Sequence, residues 1–422
     1  MNNPWLTSGI LESIDRNHKY SKMQKKGLIP RNIYTAHRNK LNNLIRLVKR
    51  RYYKNKFESC LNDVRSTWKN INLLLNKKRE KLPSNMYIGE DKFSNSRDIC
   101  EAFANYLSEI ATSLDKNIPS SNESYNCFLN NSNINSMFLS ETSDNEVKKV
   151  INSFKNKGSS VNEIPTKIFK IVSSNICEIL GNLFNQSIQQ GIFPDCLKVA
   201  RVVPIFKEAE GDKLNMENYR PISTLNFISK VFEKLFLTRL KSFLNLSGIL
   251  DKFQFGFRDS VSTTDAVITF LNDTYNNINE SKYTIATFID FKKAFDTINH
   301  EILLGKLKNF GVRSLPLKWI ESYLYNRRMY VDFNGTHSTS KTVNIGIPQG
   351  TVLGPFLFIL YINDIFNSSK ILKFLLYADD TTIYLSGHNL KSLFEIFNNE
   401  LQHFYLWTKV IELQLILRKL NL

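Results

Sequence analysis

Cysteine is scarce in this sequence. Cys60, Cys100, Cys127, Cys177 and Cys196 are the five in 422 residues, and no two form a C-x-x-C pair. Neither a zinc site nor a disulfide framework is signalled, which fits a reducing compartment. The opening Met-Asn-Asn-Pro-Trp-Leu is not a secretory signal. No apolar run approaches the roughly 20 residues that span a bilayer, the longest lying around Phe356–Ile362. These absences predict a soluble, intracellular chain with no membrane partner. Acidic residues are nearly missing from the first fifth. Residues 1–83 hold 20 Lys and Arg against 5 Asp and Glu, so they carry +15 of the formal +17 and the other 339 residues carry +2. A basic module ahead of a near-neutral body suits a polyanionic partner such as nucleic acid, but a solvated helical face would look the same.

With 42% hydrophobic residues the chain can bury a large core, and its length suggests two or more domains. From Arg31 to Leu75, Leu41, Leu44, Ile45, Val48 and Tyr52 recur at helical spacing with Lys and Arg between them. The pattern predicts amphipathic helix with a basic outer face. It fades over residues 84–140, and Ser120–Ser136 is dominated by Asn and Ser, which predicts a mobile loop. The expected division is a basic helical segment over 1–83, a polar, partly disordered linker over 84–144, and a body over 145–422.

Within the body, Asn145–Phe154 and Thr166–Gln190 read as helix, with Gly191 and Pro194 as stop signals. Val199–Phe206 is β-branched and apolar, a strand pattern, and Leu225–Leu244 is a long helix pattern. Thr284–Asp290 reads as a buried strand ending in an acid. A helix follows it, carrying Ile302, Leu303, Leu307 and Phe310 and stopping at Gly311. Asn334-Gly335 marks a hairpin within 329–347, and Leu353–Ile365 an apolar helix. Ile371–Tyr377 and Thr381–Leu385 read as strands joined through Ala378-Asp379-Asp380. This order predicts an α+β body with an antiparallel sheet.

An Asp-Asp pair between strands is ordinarily turn chemistry. Here the strand before it is apolar, and two adjacent carboxylates on a dry sheet are costly without a counter-charge. Asp290 also ends a predicted strand. If the two strands are neighbours, Asp290 faces Asp379 across one gap. That arrangement suits two hard cations about 4 Å apart on oxygen ligands, able to activate an attacking hydroxyl and stabilise a leaving phosphate oxygen.

Phe288-Ile-Asp-Phe-Lys-Lys-Ala-Phe-Asp-Thr-Ile-Asn-His300, Gly346-Ile-Pro-Gln-Gly-Thr-Val-Leu-Gly-Pro355 and Tyr377-Ala-Asp-Asp380 resemble, in order, the three palm motifs of reverse transcriptases. Upstream, Asn218-Tyr-Arg-Pro-Ile-Ser-Thr-Leu225, Ser229-Lys-Val-Phe-Glu-Lys234 and Gln254-Phe-Gly-Phe-Arg258 with Ser262-Thr-Thr-Asp-Ala266 resemble finger blocks of non-LTR retrotransposon polymerases, the jockey-like and CR1-like group. The resemblance covers roughly residues 145–415. It implies right-hand fingers and palm, and an RNA-directed DNA polymerase that joins dNTP to a DNA primer 3′-OH on an RNA template. Mg²⁺ is the implied ion, with Mn²⁺ as the alternative.

The resemblance also assigns roles. Asp290 and Asp379 would ligate both ions, Asp380 would support them, and the backbone carbonyl of Phe291 would add an oxygen. Phe295 stands at the position of an aromatic gate against a ribose 2′-OH, where plain core packing would also explain a Phe. Gln349 and Gly350 would form a tight loop under the templating pair, where glycine admits close backbone approach. Arg220 and Lys207 would clamp the triphosphate. The segment Asn3–Ile10 and the basic helices ending near Trp68–Asn72 resemble the region joining endonuclease to polymerase, which helps hold template RNA. Nuclear and cytoplasmic localisation would follow from the same likeness.

The chain departs from the pattern in three places. Val161-Asn-Glu-Ile-Pro165 lacks the usual Gly and Asp, Leu197 replaces a common Trp, and Ile416 and Leu420 replace an Asn and a Thr near the end. Lys419 keeps the position of a proposed general acid for the pyrophosphate leaving group. With the thumb expected to be missing, the alternative expectation is a non-catalytic nucleic-acid-binding remnant. An intron-encoded enzyme fits the Asn-Tyr-Arg-Pro-Ile-Ser block less well.

Overall fold

The computed structural model describes residues 4–60, 63–75, 83–115, 123–130, 132–156, 164–207 and 211–416. It forms two units, Met1–Leu82 and Pro83–Leu422. The first contains α1 (Ser8–Lys25), α2 (Arg31–Glu58) and α3 (Val64–Leu74). In α1 and α2, Ile10 and Leu41 are the buried side chains, and Tyr20 meets His37 edge-on at 5.0 Å. The helical stretch expected from Arg31 to Leu75 is broken in two. Asp63 stops a continuous helix by capping α3, its carboxylate accepting from the Ser66 N–H at 3.2 Å. Leu44 and Leu47 remain exposed beside the basic residues of α2.

The second unit runs β1 (Met86–Ile88), β2 (Asp91–Phe93), α4 (Ser96–Asp115), α5 (Asp144–Ser153), α6 (Thr166–Ile171), α7 (Ser173–Gln190), β3 (Val199–Phe206), β4 (Tyr219–Leu225), α8 (Phe227–Leu246), α9 (Thr263–Asn279), β5 (Tyr283–Phe291), α10 (His300–Asn309), α11 (Ser314–Leu324), β6 (Arg327–Phe333), β7 (Thr336–His337) and β8 (Lys341–Val343). It ends with α12 (Gly354–Tyr361), β9 (Lys373–Tyr377), β10 (Asp380–Gly387), α13 (Leu390–Val410) and β11 (Leu415–Ile416). The α+β expectation holds. One sheet has the order β4-β3-β6-β7 with β8 also on β6, and the other β11-β5-β10-β9. The second sheet is antiparallel throughout. The first contains one parallel pair, β3 with β6, because a long excursion separates those strands in the chain.

The core lies between the sheets and α5, α7, α8 and α10–α13. Trp319 stacks on Phe236 at 4.1 Å, and every residue of α12 from Phe356 to Tyr361 is buried. One ion pair is sunk in this core. Lys306 Nζ lies 2.7 Å from Asp364 Oδ1, the two side chains 0% and 2% exposed.

The polar linker expected over 84–144 is corrected by the structure. It contains the β1–β2 hairpin and α4, whose Ile99, Cys100, Phe103 and Ala104 are buried. These apolar positions follow helical spacing, but the Asn- and Ser-rich residues around them hid the signal. The mobile loop expected over Ser120–Ser136 is tethered where it is described. Asn133 donates from its backbone N–H to Asn309 O at 2.9 Å, and Arg313 Nη1 donates to Ser136 Oγ at 3.0 Å. Residues 120–122 and 131 of that loop, Val161–Glu163, Lys419 and Leu420 lie outside the described residues.

Candidate active site

The sheet brings the predicted acids together through register. In β9, Phe374, Leu375 and Leu376 are buried, which anchors the strand that leads into the acidic turn. β9 and β10 pair with Tyr377 opposite Asp380, leaving Ala378 and Asp379 as a two-residue turn. Ala378 has φ +59°, the sign that such a hairpin needs at its first central position and that L-residues resist. β10 also pairs with β5, Thr381 opposite Ile289. One step further along the same antiparallel register, Asp380 stands opposite Asp290. All three acidic residues therefore stand at one rim of the sheet. Phe291, the next residue of β5, is buried and pairs with Leu415.

Burial and crowding leave a charge imbalance. Burial pushes the Asp379 carboxyl up, and the charges of Asp380 and Asp290 push it further. A backbone hydrogen bond and Arg220 pull it back in part. The Asp380 carboxyl is raised by burial and then by Asp290. Each of these acids is thus easier to ionise beside a cation. Among the described residues, no three His, Cys, Asp or Glu side chains are already drawn together as an ion's ligand set. The expected donors include a backbone carbonyl, that of Phe291. Carboxylate and carbonyl oxygens are a hard donor set that fits Mg²⁺ or Mn²⁺ better than a thiophilic metal.

The expectation that β5 is buried needs correction. Within the strand only Phe291 is buried, Phe288 is 68% exposed, and the residues from Thr284 to Thr287 are half-buried, packing on one face against the main core and on the other against the cluster around Tyr384. Beyond β5, Phe295 stacks on Phe358 at 4.5 Å and meets Phe257 edge-on, so its ring is packed among aromatic neighbours. Gln349 donates its side-chain amide N–H groups to Asp296 at 3.2 and 3.3 Å, and its backbone carbonyl accepts from the Ser223 N–H at 2.7 Å. Gly350 has φ +99°, and a Cβ there would sit 2.6 Å from Ser223 O. Glycine is therefore required where this loop crosses β4.

Arg220 lies on β4 opposite Ile205, and its positive charge is felt at Asp379. Lys207 follows β3, its N–H donating to Asn218 O at 2.9 Å and its charge reaching Asp296. Of the two predicted cations, Arg220 thus acts on the acidic rim and Lys207 on Asp296. Lys419 cannot be located, because it lies outside the described residues.

Two further acids, unassigned from the sequence, hold neighbouring loops. Asp296 and Gln349 line a small pocket between the first sheet and the Gly346–Gln349 loop. Burial pushes the Asp296 carboxyl up to about 6, against the opposing pull of Lys293, Gln349 and Lys207. Glu233 of α8 is fully buried and accepts from the N–H groups of Val352 and Leu353 at 2.6 and 3.0 Å, holding the loop that enters α12. Both residues stand inside blocks singled out in the sequence, but their partners are distant in the chain and only the fold reveals them.

Acids at the rim of an antiparallel sheet, beside a glycine-hinged loop and flanking cations, are the parts of a phosphoryl- or nucleotidyl-transfer site. Residues 207–421 match the family model described as reverse transcriptase (RNA-dependent DNA polymerase), and the chain belongs to that family. It is similar to the RNA-directed DNA polymerase from mobile element jockey of Drosophila melanogaster, 27% identical over 253 residues, 58% of this chain and 27% of the relative. It is also 32% identical over 222 residues to the probable RNA-directed DNA polymerase from transposon BS of that species, 50% of this chain and 24% of the relative. Over 185 residues it is 35% identical to the probable RNA-directed DNA polymerase from transposon X-element, 43% of this chain and 20% of the relative. The chain therefore spans about a quarter of the length of these curated relatives. The jockey-like resemblance carried by the finger and palm blocks is borne out.

Proposed function

We propose that this chain is the polymerase portion of a non-LTR retrotransposon protein, extending a DNA 3′ end on an RNA template with dNTPs. The observation that carries the proposal is the placement of Asp290, Asp379 and Asp380 at one sheet rim inside a region of reverse-transcriptase sequence. In this reading the antiparallel sheet is the palm, and the sheet containing β3 and β4 belongs to the fingers. Asp290, Asp379 and the Phe291 carbonyl hold the ions, and Asp380 supports them. Bound there, Mg²⁺ would acidify the primer hydroxyl and neutralise charge on the departing phosphate.

The protein's own groups do the rest. Arg220 and Lys207 bind the triphosphate, and Arg220 offers a two-pronged donor suited to phosphate oxygens. Phe295, held between Phe358 and Phe257, presents a ring edge that excludes a 2′-OH. Gln349 and Gly350 support the templating pair from below, with the Gln349 amide fixed by Asp296. Lys419 protonates the leaving pyrophosphate. The basic first unit holds template RNA, and the protein works in the cytoplasm and nucleus.

Primer extension tests this reading. Incorporation should follow the RNA sequence, stop on chelation, and prefer dNTP to rNTP. Absence of templated incorporation would overturn it. The +15 charge of residues 1–83 also favours a second reading, a nucleic-acid-binding remnant. It predicts salt-sensitive RNA binding without incorporation in the same preparation.

A further inference from the structure

The Asp379–Asp380 turn rests on a second segment of chain. Residues 253–256 run beside β9. The Phe255 N–H donates to Leu376 O at 2.8 Å, and the Leu376 N–H donates to Phe253 O at 2.9 Å. Between these two bonds lies Gln254, 2% exposed. Its Oε1 accepts two backbone N–H groups, that of Gly256 at 2.8 Å and that of Ala378 at 3.1 Å. Both partners are donors, so the amide's orientation is fixed by its contacts.

The second of these bonds falls at the critical point of the turn. In a two-residue hairpin the N–H of the first central residue has no partner in the ladder. Ala378 is that residue, it is 5% exposed, and its φ of +59° is strained. Gln254 supplies the acceptor that the ladder cannot. Gly256 supplies the room, because a Cβ there would lie on the Ala378 backbone nitrogen. Arg258 secures the segment from behind, its Nη1 donating to Asp251 O at 2.6 Å and Gln254 O at 3.3 Å.

We infer that Gln254 and Gly256 form a positioning clamp that sets where Asp379 and Asp380 stand relative to Asp290. The inference rests on the polymerase reading of those acids. Gln254 touches neither ion nor nucleotide. It acts through the Ala378 N–H, and its loss lets the turn relax away from Asp290. The Gln254-Phe-Gly-Phe-Arg258 block thereby gains a physical role, as the brace of an acidic turn more than a hundred residues away.

Two readouts on the purified chain test the clamp. Gln254→Met keeps the length but removes the acceptor, Gln254→Glu keeps an acceptor oxygen, and Gly256→Ala pushes on the turn. Hydrogen exchange over residues 374–384 should quicken about tenfold in Gln254→Met, the worth of one hydrogen bond, and stay near the parent's rate in Gln254→Glu. In primer extension, Gln254→Met and Gly256→Ala should raise the Mg²⁺ needed for half-maximal rate by about tenfold, with the KM for dNTP within about twofold. A merely structural role would lower the rate through lost folded protein and leave the Mg²⁺ requirement unmoved. Unchanged exchange over 374–384 in Gln254→Met, or an unchanged Mg²⁺ requirement, overturns the clamp. If the parent chain incorporates no nucleotide, the polymerase reading fails, and the exchange measurement still decides the clamp.

Discussion

Replacing Asp296 by Asn should make the protein more stable at neutral pH, and by an amount that grows with pH. The Asp296 carboxyl is pushed up to about 6 by burial, from an ordinary value of 3.8. A raised acid favours the fold only while it keeps its proton. Its contribution is fully present below the unfolded value and is lost as pH rises through about 6. A shift of roughly two units corresponds to about 3 kcal/mol. Asn carries no charge at any pH and retains an oxygen to accept from the Gln349 amide. The stability difference between Asp296→Asn and the parent should therefore widen by about 2 kcal/mol between roughly pH 4.5 and 7.5. Any packing difference between Asn and Asp adds a constant and leaves that widening intact. Urea unfolding across this range measures it. A difference that stays constant to within about 0.5 kcal/mol would refute the reasoning, because the carboxyl would then be ionising as it does in water.

Two further perturbations probe the core and the basic unit. Lys306→Met leaves the Asp364 carboxylate buried without its cation and should cost about 3–5 kcal/mol in guanidinium unfolding. The pair Lys306→Met with Asp364→Leu should recover most of that loss; a single-variant cost under about 1 kcal/mol would contradict it. Changing the exposed Lys40, Arg46, Arg50 and Arg51 of α2 to Gln should flatten the salt dependence of RNA binding. The log–log slope should fall by about 3 if all four meet phosphates, and an unchanged slope would remove α2 from the RNA interface.

The parts of the fold that were legible in the sequence are those governed by local chemistry. Val199–Phe206 is a strand with the bounds its β-branched run suggests, and Gly191 closes α7 in the left-handed conformation. Asn334 and Gly335 both take positive φ at their turn. The sequence expected Asp290 to face Asp379 across neighbouring strands, but β10 stands between β5 and β9 and its register puts Asp380 opposite Asp290, a strand order that no local pattern specifies. What stayed hidden depends on long-range partners. α4 was obscured by polar surroundings, although Ile99 and Phe103 are fully interior. β5 looked buried because its run is apolar, yet Phe288 faces outward. Gln254 sits in a recognised block, but its role depends on Ala378, which no local pattern links to it.

The function proposed for this chain requires the three acids to act as one ion-binding group at the sheet rim. The most direct measurement is RNA-templated incorporation in Mg²⁺ by the parent chain, Asp290→Asn and Asp379→Asn, with thermal unfolding followed on each. Both variants should lose at least about 10²–10³-fold in rate while remaining as stable as the parent or more so, since each removes a mutually repelling charge. Incorporation at the parent's rate by either folded variant would contradict the assignment.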